Sequence, residues 1–135
     1  MSIKEVYKNL LVNRYNNKQY YDKKIEFEYS NNIIRVASPN CSTRLVLKAD
    51  FNSTTLISLK YSLSGDMFAF VVTELIIDYL LIHTKEECKH YIYNLNNKVD
   101  NDSNEQLDAI LKGGYSISIK KILGYFTLFV NSYWI

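Results

Sequence analysis

The chain has 135 residues, 47% of them hydrophobic and 22% charged, with a formal net charge of +2. That is enough for one domain, able to bury about two-thirds of its unfolded surface around a single core. Its basic residues fall in isolated pairs such as Lys23-Lys24 and Lys120-Lys121, without the clustered cationic face of a nucleic-acid binder, so no nucleic-acid partner is expected. The longest apolar stretch, Met67 to Ile82, is broken by Glu74 and Asp78 and falls short of the roughly 20 residues that cross a bilayer. The opening MSIKEVYKNLLVNRY lacks the apolar run and small-residue site of a signal peptide. Two cysteines make no disulfide framework, and free thiols suit a reducing compartment. A cytoplasmic chain with no membrane partner is the expectation.

The first element reads as a helix. Ser2 and Glu5 make a capping box, and Ile3, Val6, Tyr7, Leu10 and Leu11 share one face. The polar NRYNNKQYYDKK interrupts it. From Lys24 the period becomes two, with Ile25, Phe27 and Tyr29 alternating with Glu26 and Glu28, which predicts a strand. A second strand, Ile33 to Ala37, stops at Pro39, the one proline, which cannot donate to a ladder. Arg44 to Ala49 and Thr54 to Tyr61 are two further β-rich runs joined by the turn-like DFNS. Short consecutive strands with tight links imply an antiparallel meander.

Beyond SLSGD the period changes to that of a helix. Phe68, Val71, Val72, Leu75, Ile76, Tyr79 and Leu80 form a wide apolar stripe, predicting a largely buried helix over Asp66 to Ile82. Thr84 with Glu87 is a capping box that opens another helix, Lys85 to about Leu95. NNKVDNDSN reads as an exposed loop. Ser103 with Gln106 caps a short helix bearing Leu107, Ile110 and Leu111, which Gly113-Gly114 ends. The last segment, Ile117 to about Ser132, is apolar enough for a packed helix. The order makes an α+β domain, a small antiparallel β-meander with helices on one face.

Signatures of enzyme chemistry are missing: there is no Gly-rich phosphate loop, paired-histidine metal motif or nucleophile elbow, and no enzyme is expected. His83 ends the long helix and His90 lies in the next, positions that suit packing or the helix dipole. Cys88, in EECKH, reads as a half-buried small residue. Cys41 sits at the corner after Pro39, and Arg44 or Lys60 is a cation that could lower its pKa if it pointed that way.

Four stretches taken together resemble a known family. VYKNLLVNRYNNKQY, SPNCSTRLVLKAD, LISLKYSLSGDMFAFVVTELIIDYLLIHTKEEC and SISIKKILGYFTLFVNSYW are similar, in order and spacing, to the IscU/NifU-type iron–sulfur cluster assembly scaffolds. The resemblance covers most of residues 1–135 as one domain and implies a small antiparallel sheet with helices on one side. It also implies a site. Family scaffolds hold a cluster with three cysteines and an aspartate shortly after the first. Cys41 matches the first cysteine, Ser62 falls at the second, and the third falls near Leu123 or Gly124. Ser42-Thr43 stands where the family has Gly-Asp, while Asp66, beside Gly65, could add an oxygen ligand for zinc or iron.

A two-iron cluster needs four protein ligands, ordinarily thiolates, and a serine is a poor donor at neutral pH. One chain alone is therefore expected not to bind a cluster stably. The resemblance implies an accessory scaffold-like role with a cysteine desulfurase or another assembly protein as partner. NCSTRLVL is also similar to the GCxSxvw stretch of SufE-type sulfur acceptors, which share the fold, and this alternative makes Cys41 a persulfide carrier. A third reading is a binding module that has lost sulfur chemistry, dimerising through exposed aromatics such as Tyr133 and Trp134.

Overall fold

The computed structural model describes residues 3–36, 43–96 and 117–134. Helix α1 is Ile3–Asn16, followed by a 3-10 turn at Lys23–Phe27. Three strands follow, β1 (Ile33–Arg35), β2 (Arg44–Phe51) and β3 (Leu56–Ser64). Helices α2 (Met67–Leu80), α3 (Lys85–Asn96) and α4 (Ile117–Leu128) complete the chain, and α4 widens into a π-helical turn over Phe129–Tyr133. The predicted short helix around Leu107 to Leu111 lies outside the described residues.

The strands form one antiparallel sheet in the order β1-β2-β3, the expected meander. Asn52 makes the tight link: its Oδ1 accepts from the amides of Thr54 and Thr55 at 2.9 and 2.8 Å. Pairing of Leu45 with Leu63, Leu47 with Tyr61 and Ala49 with Leu59 sets one register, and all six side chains are buried. Because side chains alternate along a strand, these six share one face and join the main core with the helices. The outer face carries Arg35, Lys48, Lys60 and Ser62.

Helix α2 lies at the centre, against α1, α3, α4 and β3. Most of its predicted stripe is buried: Val71, Val72, Leu75, Ile76 and Leu80 are at most 2% exposed, whereas Tyr79 is half-buried and Phe68, in the first turn, is 36% exposed. Each side chain of this size contributes roughly 1.5–3 kcal/mol through the apolar area removed from water. The Thr84–Glu87 capping box of α3 is formed in both directions, Thr84 N to Glu87 Oε1 at 2.9 Å and Glu87 N to Thr84 Oγ1 at 3.3 Å. No helix among the described residues is long and apolar enough to cross a membrane.

Two expectations are corrected. The segment from Lys24 to Tyr29 is not a strand: Lys24 to Phe27 belong to the 3-10 turn, started by Asp22, whose carboxylate accepts from Lys24 N at 3.1 Å, and Glu28 closes it. Its alternation is not one of burial on a sheet face, since Ile25 is sealed while Phe27 and Tyr29 are 70% and 92% exposed. Ile25 is also absent from the main core cluster. The turn packs against β2 and β3, and Arg35 holds it on the outer face by donating from Nη2 to the carbonyls of Glu26 and Glu28 at 3.0 and 2.9 Å. The second correction concerns Trp134. It is 1% exposed, stacked on Phe129, and its Nε1 donates to the Asn52 carbonyl at 3.1 Å, so it offers no dimerising surface.

Candidate functional site at one end of the sheet

Cys41 lies outside the described residues. The chain resumes at Thr43, and what surrounds Thr43 defines the corner. Arg44 pairs with Ser64, bringing the start of β2 beside the end of β3. Thr43 is buried, and a Cβ on Gly65 would meet its Cγ2 at 3.5 Å and the Ala69 Cβ at 3.2 Å. Glycine therefore lets the β3–α2 connection pass close to the opening of β2. Across this corner comes α4, whose Tyr125 hydroxyl donates to the Thr43 carbonyl at 2.6 Å.

Tyr125 directly follows Leu123 and Gly124, where the resemblance put the third ligand position. Leu123 is buried in the core and Gly124 is exposed, with no atom within 4 Å of the place a Cβ would take. The corner thus gathers Thr43, Gly65 and Tyr125 from three elements distant in sequence. Asp66 stands beside Gly65, exposed, as the N-cap of α2: its Oδ1 accepts from Ala69 N at 2.9 Å. A carboxylate there stabilises the positive end of the helix dipole, and a metal would have to compete for it.

Ser62 is placed differently. It is 4% exposed, paired with Val46 in mid-strand, and lines a cavity of about 300 Å³ on the outer face. Asp66 is not among the described residues that line that cavity. Of the two cations considered for Cys41, Arg44 sits at the corner, whereas Lys60 lies opposite Lys48 further along the sheet. Lys48 is held by Glu28 at 2.9 Å, which relieves that like-charge pair.

Among the described residues the corner offers two hydroxyls and one capping carboxylate, with no thiolate. No group of three or more His, Cys, Asp and Glu side chains is close enough to share a metal among the described residues. Cys88, the other thiol, is fully buried on the inner side of α3, with Sγ 3.7 Å from the carbonyls of Leu80 and His83. Burial, reinforced by the charge of Glu87, pushes its thiol up to about 12. His83 stacks on Tyr79 at 3.6 Å, with Nδ1 2.9 Å from the Tyr79 carbonyl, a packing role.

One buried polar cluster was not anticipated. Glu74, noted in the sequence as a break in an apolar run, is 0% exposed. Its carboxylate accepts from Arg14 Nε and Nη2 at 3.3 and 3.2 Å, from Gln19 N at 2.6 Å and from Tyr20 N at 3.2 Å. Arg14 also reaches Asp78 at 2.9 Å, and the Tyr20 hydroxyl donates to Asp78 at 2.6 Å. Burial and then the hydrogen bond to Asp78 push the Tyr20 phenol up to about 12. The Tyr61 phenol is driven far up by burial and the Glu74 charge. Burial opposes the Arg14 charge, yet Asp78 and Glu74 hold its pKa above the ordinary value. The one signal in the sequence was the i, i+4 spacing of two acids inside an apolar helix.

No family model matches the chain, and no curated protein is similar to it. Solved structures are. The crystal structure of a hypothetical protein at 2.3 Å resolution is similar with a TM-score of 0.66 at 12% identity, over 93% of this chain and 97% of that one. A candidate iron–sulfur cluster assembly scaffold protein for the SUF system from the thermophile Fervidobacterium islandicum AW-1 is similar with a TM-score of 0.52 at 14% identity, over 90% of this chain and 79% of that one. At these identities the likeness defines the fold: an α+β domain of the type seen in that scaffold protein, with a three-stranded antiparallel sheet and packed helices.

Proposed function

We propose that the chain is an accessory, scaffold-like protein of iron–sulfur cluster biogenesis, one that docks on an assembly partner and does not itself retain a cluster. The observation that carries this reading is the fold, similar over nine-tenths of the chain to a candidate SUF-system scaffold, joined to a corner whose described donors do not suit a cluster. The partner proposed is a cysteine desulfurase, with a second assembly protein as recipient. The protein works in a reducing cytoplasm and has no turnover of its own. Iron, zinc and clusters are cargo passing a complex, with Cys41 and Asp66 as the residues of this chain nearest to them.

Anaerobic mixing with a cysteine desulfurase, cysteine and ferrous iron tests the reading. A complex should form with no stoichiometric visible chromophore on the isolated chain. A stable chromophore on the monomer would overturn the accessory role, and the absence of any complex would overturn the docking. Light scattering of the same preparation reads the homodimer expectation.

The burial of Cys88 favours a second reading, because it leaves Cys41 as the thiol available for sulfur transfer. In that reading the Cys41 thiolate attacks the sulfane sulfur of a desulfurase persulfide. The sulfur–sulfur bond to the enzyme's cysteine breaks, that cysteine leaves as a thiolate, and Cys41 carries the persulfide. Mass spectrometry would then find one added sulfur on the chain without iron, lost in Cys41→Ser. An unmodified chain sinks this second reading and leaves the first standing.

A further inference from the structure

The outer-face cavity has a chemistry of its own. Its floor is the sheet: Arg35, Val46 and Ser62 lie side by side across three strands, and Arg44 with Ser64 forms the neighbouring row. Side chains two apart on a strand share a face, and diagonal neighbours have Cα atoms roughly 7–8 Å apart. Two guanidinium-bearing chains and two hydroxyls therefore rise from one small patch, and all four residues line the cavity of about 300 Å³. The 3-10 turn contributes Glu26, an exposed acidic residue, to the cavity wall.

The two arginines are in different states. Arg35 uses Nη2 on the Glu26 and Glu28 carbonyls and lies 5.0 Å from the centre of the Tyr29 ring. That fixes its guanidinium in place and leaves N–H groups on Nε and Nη1 for another acceptor. Arg44 is exposed and makes no ion pair among the described residues. Ser62, by contrast, is 4% exposed, a hydroxyl at the cavity floor. With two cations and one carboxylate, the described lining residues carry a local excess of one positive charge. Donors arriving from two rows of the sheet suit a tetrahedral oxyanion better than a planar carboxylate, which a single guanidinium fork satisfies. The cavity is also larger than a bare phosphate needs.

We propose that this cavity binds the phosphate group of a small phosphate monoester, with Arg44 supplying the principal charge, Arg35 a fixed second cation with single N–H donors, and Ser62 and Ser64 the hydroxyl donors. Glu26 opposes the anion and confines it to the Arg44 side. The inference does not depend on cluster biogenesis, and it gives Ser62 a part in anion binding.

Calorimetric titration of the full chain with glycerol phosphate, inorganic phosphate and acetate tests it. Glycerol phosphate should bind saturably at one site, more tightly than acetate. Arg44→Gln should weaken it about tenfold or more, as loss of a charged hydrogen bond does. Glu26→Gln should tighten it by about threefold, the size of an exposed charge interaction. Both positions are exposed, so these variants should keep the wild-type circular dichroism, and Lys120→Gln serves as the distant charge control. Inorganic phosphate binding as well as the ester supports recognition of the head group alone, and weaker binding supports use of the remaining volume. No saturable binding, equal affinity for acetate, or the same change in Lys120→Gln as in Arg44→Gln overturns the site.

Discussion

Replacing Glu74 with alanine removes a fully buried carboxylate at the centre of a polar cluster. The carboxylate is fully buried and serves four donor contacts: two from Arg14 and the backbone amides of Gln19 and Tyr20. Removing it leaves the two amides without that acceptor, and Arg14, 17% exposed at its side chain, keeps Asp78 alone. Breaking one side of a buried pair costs about 3–5 kcal/mol, and the orphaned amides belong to the same loss. For a domain of this size that lowers the melting temperature by roughly 10–25 °C. Thermal and urea unfolding followed by circular dichroism measure it. Asp78→Asn should cost less, because the Asp78 side chain is 32% exposed. The double variant Arg14→Met/Glu74→Leu sharpens the test. Apolar replacement of a buried ion pair is often neutral, but here the Gln19 and Tyr20 amides would still lack their acceptor, so the double variant should stay destabilised. A Glu74→Ala loss below about 1 kcal/mol, within the range of an exposed pair, would refute the reasoning.

Other outcomes follow from the same geometry. In a Cys41→Ser background, Cys88 should resist Ellman's reagent at neutral pH and react once the chain unfolds. Cys88 is raised from 9.0 and Tyr20 from 10.0, each to about 12. Groups raised by folding favour the native state fully below their unfolded values, so stability should decline as pH climbs from about 9 to 12, which an alkaline titration of ellipticity would follow. Thr84→Ala removes one arm of the α3 capping box and should cost about 1 kcal/mol by urea denaturation. Trp134 is the single tryptophan, so native fluorescence should be blue-shifted and poorly quenched by acrylamide, and unfolding should reverse both.

Local features were the ones legible in the sequence. A capping box is read within four residues, and Thr84 with Glu87 closes as written. The strand runs at Ile33, Arg44 and Thr54 and the stripe from Val71 to Leu80 depend on periods that burial enforces. Lys24 to Tyr29 misled because alternation of residue types imitates a strand, whereas Asp22 bonds the next backbone amides locally and a free sheet edge is already occupied by Tyr20 to Asp22. Glu74 was opaque for the opposite reason: its partners stand 54 to 60 residues away, and no local pattern announces them. As for the candidate site, Asp66 was recognised as a residue of interest, but its engagement as a helix cap depends on backbone geometry. Strand parity places Ser62 on the outer face of the sheet.

The bridge between Tyr21 and Tyr61 has a wider consequence. Tyr61 N donates to the Tyr20 carbonyl at 3.0 Å and accepts, through its own carbonyl, from Asp22 N at 2.8 Å, so the chain's N-terminal portion borders the far margin of β3. A strand margin left bare is a template for pairing with other molecules. Deleting residues 1–22 would therefore do more than shorten the protein: it would strip the border from β3 and withdraw Arg14 from Glu74 together. The truncated product is expected to clump, and fusion tags or trimming at that terminus should spare everything from Arg14 onward.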